Sequence, residues 1–222
     1  SNKSFKSEKN LISGNQNVLK ARFSDAKFFL EEDKKNSFES RHKKLSSIIF
    51  YDNLGTLFER SERLVDLCQV LSDNFEFNID NFKKYLRYSN VDLTTEIVKE
   101  FPSLQGRVGG FYATIEGFKS EINEAFSLQY ENSLVFNKLN LTIILAIAQK
   151  ADSVFGFFLS KKKISGSGDP FGVRRNVLSI IKILIENNLS IDIEHLFDKT
   201  KSIYKKQKID IEFDTKLIYD FF

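Results

Sequence analysis

Apolar residues recur along most of this chain at intervals of three and four, and Leu54, Leu57, Phe58, Leu64, Leu67, Cys68 and Leu71 form one such stripe. That period sets them along one side of an α-helix, the side that must be buried against another element. Read the same way, the whole sequence predicts helices near residues 16–33, 37–51, 54–73, 79–89, 92–100, 103–115, 120–130, 138–160, 170–188, 192–206 and 213–222. No strand series interrupts them, so the expected fold class is all-α. Local signals support two of the starts. Asp169 precedes Pro170, the cap-then-proline order of a helix N-terminus, and Asp92 stands ahead of Thr94, Thr95 and Glu96 as a second cap candidate.

Two weak breaks divide the pattern. Lys161 to Gly168 is an exposed loop by composition, and Ile209-Asp210-Ile211-Glu212 is a short polar and β-branched link. The simplest organisation is a lead-in segment over 1–36, a helical body over 37–190 and a tail from 191–222; two packed helical subdomains are the alternative. The most apolar stretch, Leu141 to Leu159, carries Gln149, Lys150 and Asp152, and such groups are costly in a bilayer. It is expected to be a core helix, with no signal peptide and no membrane partner.

With 41% hydrophobic and 28% charged residues, the chain has the composition of a globular protein that buries a sizeable core. The single Cys68 rules out an internal disulfide framework and fits a reducing cytoplasm. The chain contains no Met and opens on Ser1-Asn2, which is expected of a piece of a longer protein carrying a cloning remnant. The apolar spacing of Leu217 to Phe222 places the end of the sequence inside or beside a helix.

Charge sharpens this picture. The net charge of +3 is small, yet between 157 and 182 the cations Lys161, Lys162, Lys163, Arg174, Arg175 and Lys182 face only Asp169, so this segment carries +5 and the remainder about −2. A concentrated basic segment attracts a polyanion through counterion release. The structural alternatives are a solvated lysine loop, and arginines engaged in salt bridges or lying over apolar neighbours. Gly166, Gly168 and Gly172 lack the spacing of a nucleotide-binding loop, and Asp169 would set negative charge where an anion binds; a turn and a capped helix are expected there.

Catalytic constellations are sparse. An HD-type phosphohydrolase needs a His, an adjacent His-Asp pair and a distal Asp converging on a metal, whereas the only histidines are His42 and His195. His42, between Arg41 and Lys43, reads as an exposed surface residue. Cys68 lies on an apolar stripe and reads as core rather than as an activated thiolate. No catalytic residue and no metal ligand is expected in this chain.

Four strings in order carry a family resemblance: Ala21-Arg22-Phe23-Ser24-Asp25-Ala26-Lys27-Phe28-Phe29, Glu100-Phe101-Pro102-Ser103-Leu104-Gln105-Gly106, Ala151-Asp152-Ser153-Val154-Phe155-Gly156-Phe157-Phe158 and Asp169-Pro170-Phe171-Gly172-Val173-Arg174-Arg175. Together with Gly14, Asn15, Leu54-Gly55-Thr56-Leu57 and Glu62-Arg63, the chain from about residue 14 to 188 resembles the β subunit of the two-subunit bacterial glycyl-tRNA synthetases. The resemblance implies an HD-like helical body with degenerate HD positions: Asp92 stands at the Asp of the His-Asp pair, Asp152 at the distal Asp, Val91 where the paired His would be, and Tyr51 near the first His. It also implies glycine tRNA and the synthetase α subunit as partners, with no DNA. ATP with Mg²⁺ would be held by the α subunit and no cofactor by this piece, and an anticodon-binding module would follow residue 222. The implied role is to position the tRNA backbone. Arg174, Arg175 and Lys161 to Lys163 are the first phosphate-contact candidates, and Arg22 and Lys27 the second. The alternatives are a residual metal phosphohydrolase acting on nucleotides, and a pure α-subunit scaffold.

Overall fold

A computed structural model of the protein describes residues 5–51, 53–160 and 172–222, and these residues are built from helices. In chain order they are α1 (Phe5–Asp33), α2 (Phe38–Lys44), α3 (Leu57–Asn74), α4 (Lys83–Leu86), α5 (Glu96–Glu100), α6 (Arg107–Ile115), α7 (Ser120–Leu128), α8 (Leu141–Leu159), α9 (Val173–Glu186), α10 (Ile193–Lys206) and α11 (Lys216–Tyr219), with short 3-10 turns at 45–47, 91–94 and 102–104. An isolated antiparallel bridge between Ile49 and Thr56 closes the loop ahead of α3. The expected all-α class is borne out.

The core is organised around α8. All of its residues except Ser153 and Phe158 are buried, because α3, α7, α9 and α10 all pack against it. A helix surrounded in this way needs apolar residues on every side, which is why its sequence lacks a polar face. The expectation of a core helix over Leu141 to Leu159 is borne out; it is long and apolar enough to cross a membrane, but it is sequestered by its neighbours. Cys68 is likewise in the core, and burial pushes its thiol far above the ordinary range.

Several elements depart from the periodicity. Within the stretch 79–89 only Lys83–Leu86 is α-helical, and 213–222 shortens to Lys216–Tyr219. The predicted 37–51 helix stops at Lys44, since Ile48 turns to extended backbone and Ile49 enters the bridge with Thr56. Conversely, α1 extends back to Phe5. At 29 residues it is about 43 Å long. Positions 11, 12, 18, 19, 23, 26, 29 and 30 fall on one side of α1. Ala26, Phe29 and Leu30 pack against the core, whereas Leu11, Ile12, Val18, Leu19 and Phe23 are exposed.

A carboxylate fastens α1 to the body. Asp33, its last residue, is buried and accepts the amide hydrogens of Glu96 (3.0 Å) and Ile97 (3.1 Å) at the start of α5. Tyr112 donates to the same carboxylate at 3.2 Å, and the buried Arg41 guanidinium lies against Asp33. A negative charge on two orphan amides at a helix N-terminus satisfies donors that the helix cannot satisfy itself. The cap of α5 is therefore shared by Asp33 and by Thr95, whose hydroxyl accepts from Val98 N–H at 3.2 Å. Asp92, expected to cap this helix, serves α6 instead.

Candidate nucleic-acid interface

The basic segment meets the body at the first turn of α9. Gly172 takes a left-handed conformation (φ 66°) at the cap, and a Cβ there would lie 2.7 Å from the Arg175 guanidinium. Glycine takes this turn without strain and leaves room for that close approach. Val173 then enters the core while Arg174 and Arg175 face outward, both exposed. Lys161, Lys162, Lys163, Asp169 and Pro170 lie outside the described residues.

One residue further along α9, Asn176 reaches a cavity of about 160 Å³. Its wall is completed by Arg60 of α3, by Gln129 and Tyr130 after α7, and by Gln149, Lys150 and Ser153 of α8. The cavity therefore lies where α3, the end of α7, α8 and α9 converge.

Two buried aspartates flank this cavity, each in a different electrostatic state. Asp152 is completely buried and clamped by two guanidiniums: Arg60 Nε donates to Oδ2 at 3.0 Å and Arg63 Nε donates to Oδ1 at 2.9 Å. Arg63 is itself fully buried, stacks over Tyr204 at 4.2 Å, and donates to Gln207 Oε1 at 2.7 Å, which ties the end of α10 to α3. Asp152 is thus a buried partner for two basic side chains.

Asp92 has no such cation in contact. Its Oδ2 accepts the Gly106 amide hydrogen at 2.6 Å, just before α6, and its Oδ1 is buried without a hydrogen-bond partner. Desolvation outweighs the backbone hydrogen bonds and raises its carboxyl to about 6. Burial, with the charge of Asp92 in support, also raises the Tyr130 phenol, which receives a hydrogen bond from Asn90 at 2.6 Å and so lies between Asp92 and the cavity.

Among the described residues no cluster of three or more His, Cys, Asp or Glu side chains is positioned to hold a metal ion. Both oxygens of Asp152 already face guanidiniums. At the implied histidine positions stand Val91, in the core, and Tyr51, whose hydroxyl burial raises above its ordinary range.

His42 is not the exposed residue its charged neighbours implied. It is buried, lies on Phe58 and Tyr88 with ring centroids 4.6 and 5.4 Å away, and its Nε2 is 2.9 Å from Ser61 Oγ. The Ser61 hydroxyl donates to Phe58 O at 2.6 Å, so His42 Nε2 donates to Ser61. Desolvation lowers its pKa and keeps the ring neutral, which makes it a core residue. The misreading has a physical source: α2 packs edgewise, so Arg41 and His42 turn inward together while Lys43 and Lys44 stay exposed.

Of the second-rank candidates, Arg22 forms an ion pair with Glu100 and lies 5.9 Å from the Phe101 ring, so it links α1 to α5. Lys27 is exposed on α1 and lends positive field to Glu31. Arg60 and Lys150 were not singled out as anion-binding groups from the sequence. A signal for one of them was present, since Gln149-Lys150 interrupts the longest apolar stretch.

Residues 1–222 match the family described as Glycyl-tRNA synthetase beta subunit. Among curated relatives, the glycine–tRNA ligase beta subunit of Acinetobacter baumannii is 38% identical over 199 residues, covering 88% of this chain and 29% of the relative. That of Acinetobacter baylyi is also 38% identical, with the same coverage. The beta subunit of Rickettsia bellii is 35% identical over 224 aligned residues, covering all of this chain and 33% of the relative. The chain thus spans about a third of the length of the relatives it matches.

Proposed function

Since this chain belongs to the glycyl-tRNA synthetase beta subunit family, we propose that it helps bind and position glycine tRNA for aminoacylation carried out on an α subunit, where ATP and Mg²⁺ are used. The protein works in the cytoplasm, and this part of it is an HD-like scaffold that contributes no catalytic group. One observation carries the reading. Exposed Arg174 and Arg175 stand together in the first turn of α9, within a segment that carries +5 on a chain whose net charge is only +3. Cations without base-reading partners position a nucleic-acid backbone rather than specify its sequence.

The test is a filter-binding titration of glycine tRNA over a series of salt concentrations. Replacing both residues, Arg174→Ala with Arg175→Ala, is expected to weaken binding and to reduce the salt slope by up to about two, since about one counterion is released for each phosphate contact. An unchanged isotherm and slope in a folded variant would reject these residues as phosphate contacts.

A second role is supported by a separate observation. The uncovered side of α1, with Leu11, Ile12, Val18, Leu19 and Phe23, is an apolar stripe of the kind that marks a protein contact, and it fits a scaffold that also holds the α subunit. Capture of the α subunit without tRNA, abolished by Leu19→Glu, supports this role; capture that survives the substitution excludes the stripe.

A further inference from the structure

The cavity behind α9 has a charge imbalance that its structural contacts do not use up. Arg60 and Arg63 share the single carboxylate of Asp152, which leaves one positive charge of that trio uncompensated. Lys150 adds another. It is almost wholly buried, and its Nζ donates only to the Gln129 carbonyl at 3.2 Å. The nearest acidic influence on it, Glu131, is engaged with Arg107 at 2.8 Å. No carboxylate lines the cavity; Asp92, behind Tyr130, is the other buried acid beside it, so Arg60, Arg63 and Lys150 face two carboxylates at most.

The hydrogen-bonding groups on the wall are fixed in orientation. Arg60 Nε faces Asp152, and its Nη2 donates to the Gln149 carbonyl at 3.2 Å and to Ser153 Oγ at 2.8 Å, leaving Nη1 outside these contacts. Gln129 Nε2 donates to the Ser89 and Phe126 carbonyls, so its Oε1 accepts from Gln149 Nε2 at 2.6 Å. That leaves Gln149 Oε1, on a residue 2% exposed, as a buried acceptor with no partner. The wall therefore presents two cations, Arg60 and Lys150, while Gln149 Oε1 is sealed from solvent.

We propose that this cavity is a binding site for a single phosphate group, with Lys150 and Arg60 meeting its charged oxygens. Guanidinium and ammonium groups in a low-dielectric wall form the strong, charge-assisted class of hydrogen bond with phosphate. Size restricts the ligand further: about 160 Å³ has room for roughly five waters and lies below the roughly 300–1,000 Å³ of pockets that enclose a whole drug-sized ligand. One ionised group fits, not an entire nucleotide. Burial also lowers the Lys150 ammonium to about 8, so it is mostly charged at neutral pH yet short of counter-charge.

The inference does not depend on tRNA binding at α9, and its test keeps the two apart. Inorganic phosphate is titrated calorimetrically into the protein in a buffer free of other polyvalent anions. Saturable uptake at one site is expected, and Lys150→Met should weaken it by about tenfold or more. This variant removes an unpaired buried charge while keeping an unbranched side chain one atom shorter, so its melting temperature without phosphate should be equal or higher. Ser153→Ala, a small change at the cavity wall, serves as the independent variant and should weaken uptake by severalfold. Absence of saturable uptake in the parent protein overturns the proposal, as does uptake that neither substitution alters. Glycine tRNA is then added to the phosphate-loaded protein. Displacement assigns the site to a polynucleotide backbone, and undiminished uptake assigns it to free phosphate or a mononucleotide. If Arg174→Ala with Arg175→Ala leaves tRNA binding intact while Lys150→Met abolishes phosphate uptake, the α9 reading fails and the cavity site stands.

Discussion

Asp92→Asn tests the electrostatics of the buried cluster directly. The folded protein holds this carboxyl near 6 against an ordinary 3.8, so the native state binds more protons than the unfolded state between those values. Stability contributed by the neutral carboxyl is therefore present at low pH and lost as the pH rises through about 6. Linkage places the cost of ionising Asp92 at about 3 kcal/mol at pH 7.5 and about 1 kcal/mol at pH 4.5. Asparagine keeps the acceptor for the Gly106 amide hydrogen but cannot ionise. Its unpaired NH₂ adds a roughly constant term, which cancels when the two pH values are compared. Urea unfolding of both proteins at pH 4.5 and 7.5 should show the variant gaining about 2 kcal/mol relative to the parent between the two conditions. Parallel stability profiles would refute the reasoning. A parent protein made more stable by ionised Asp92, with stability falling on chelation, would point instead to a bound cation at this position and revive a metal-dependent chemistry.

Other outcomes follow from the packing. Asp152→Asn strips the counter-charge from fully buried Arg63 and should destabilise the protein by about 3–5 kcal/mol, read as a lower urea midpoint; a loss below about 1 kcal/mol would show that water reaches the guanidinium. Gly110→Ala would put a Cβ 1.8 Å from Ser127 Oγ and 2.4 Å from the Asn123 carbonyl oxygen, where α6 and α7 touch. A cost of about 1–3 kcal/mol is expected, not rescued by Ser127→Ala because the Asn123 clash is with backbone. The doubled alanine variant at Arg174 and Arg175 leaves folding intact while weakening tRNA binding, which circular dichroism beside the binding isotherm would verify.

The strings that carried the family resemblance acquire physical meaning when set on the fold. Gly106, at the end of Glu100 to Gly106, has φ 81° and donates its amide hydrogen to Asp92, while a Cβ there would press on Tyr130 and the Ser127 carbonyl. Gly172 admits Arg175 beside the start of α9. Asp33, just past the first string, bolts α1 to α5 through two amides. Each is a place where backbone geometry or an orphan donor permits few residue types.

From the sequence alone, the helical class, the burial of α8, the core location of Cys68 and the basic character of the segment ending in Arg174 and Arg175 were all readable, because period, hydropathy and charge are properties of neighbours along the chain. Pairings were not readable. That Asp152 sits between Arg60 and Arg63, that Asp33 caps a helix more than sixty residues away, and that His42 turns inward beside Ser61 are decided by which helices meet and at what angle. The cavity is the clearest case. Arg60, the adjacent pair Gln149-Lys150 and Asn176 come from distant parts of the sequence and meet only because α3 and α9 both pack on α8. Their combined charge exists in the tertiary structure alone, since electrostatic energy depends on distance through space and not on separation along the chain.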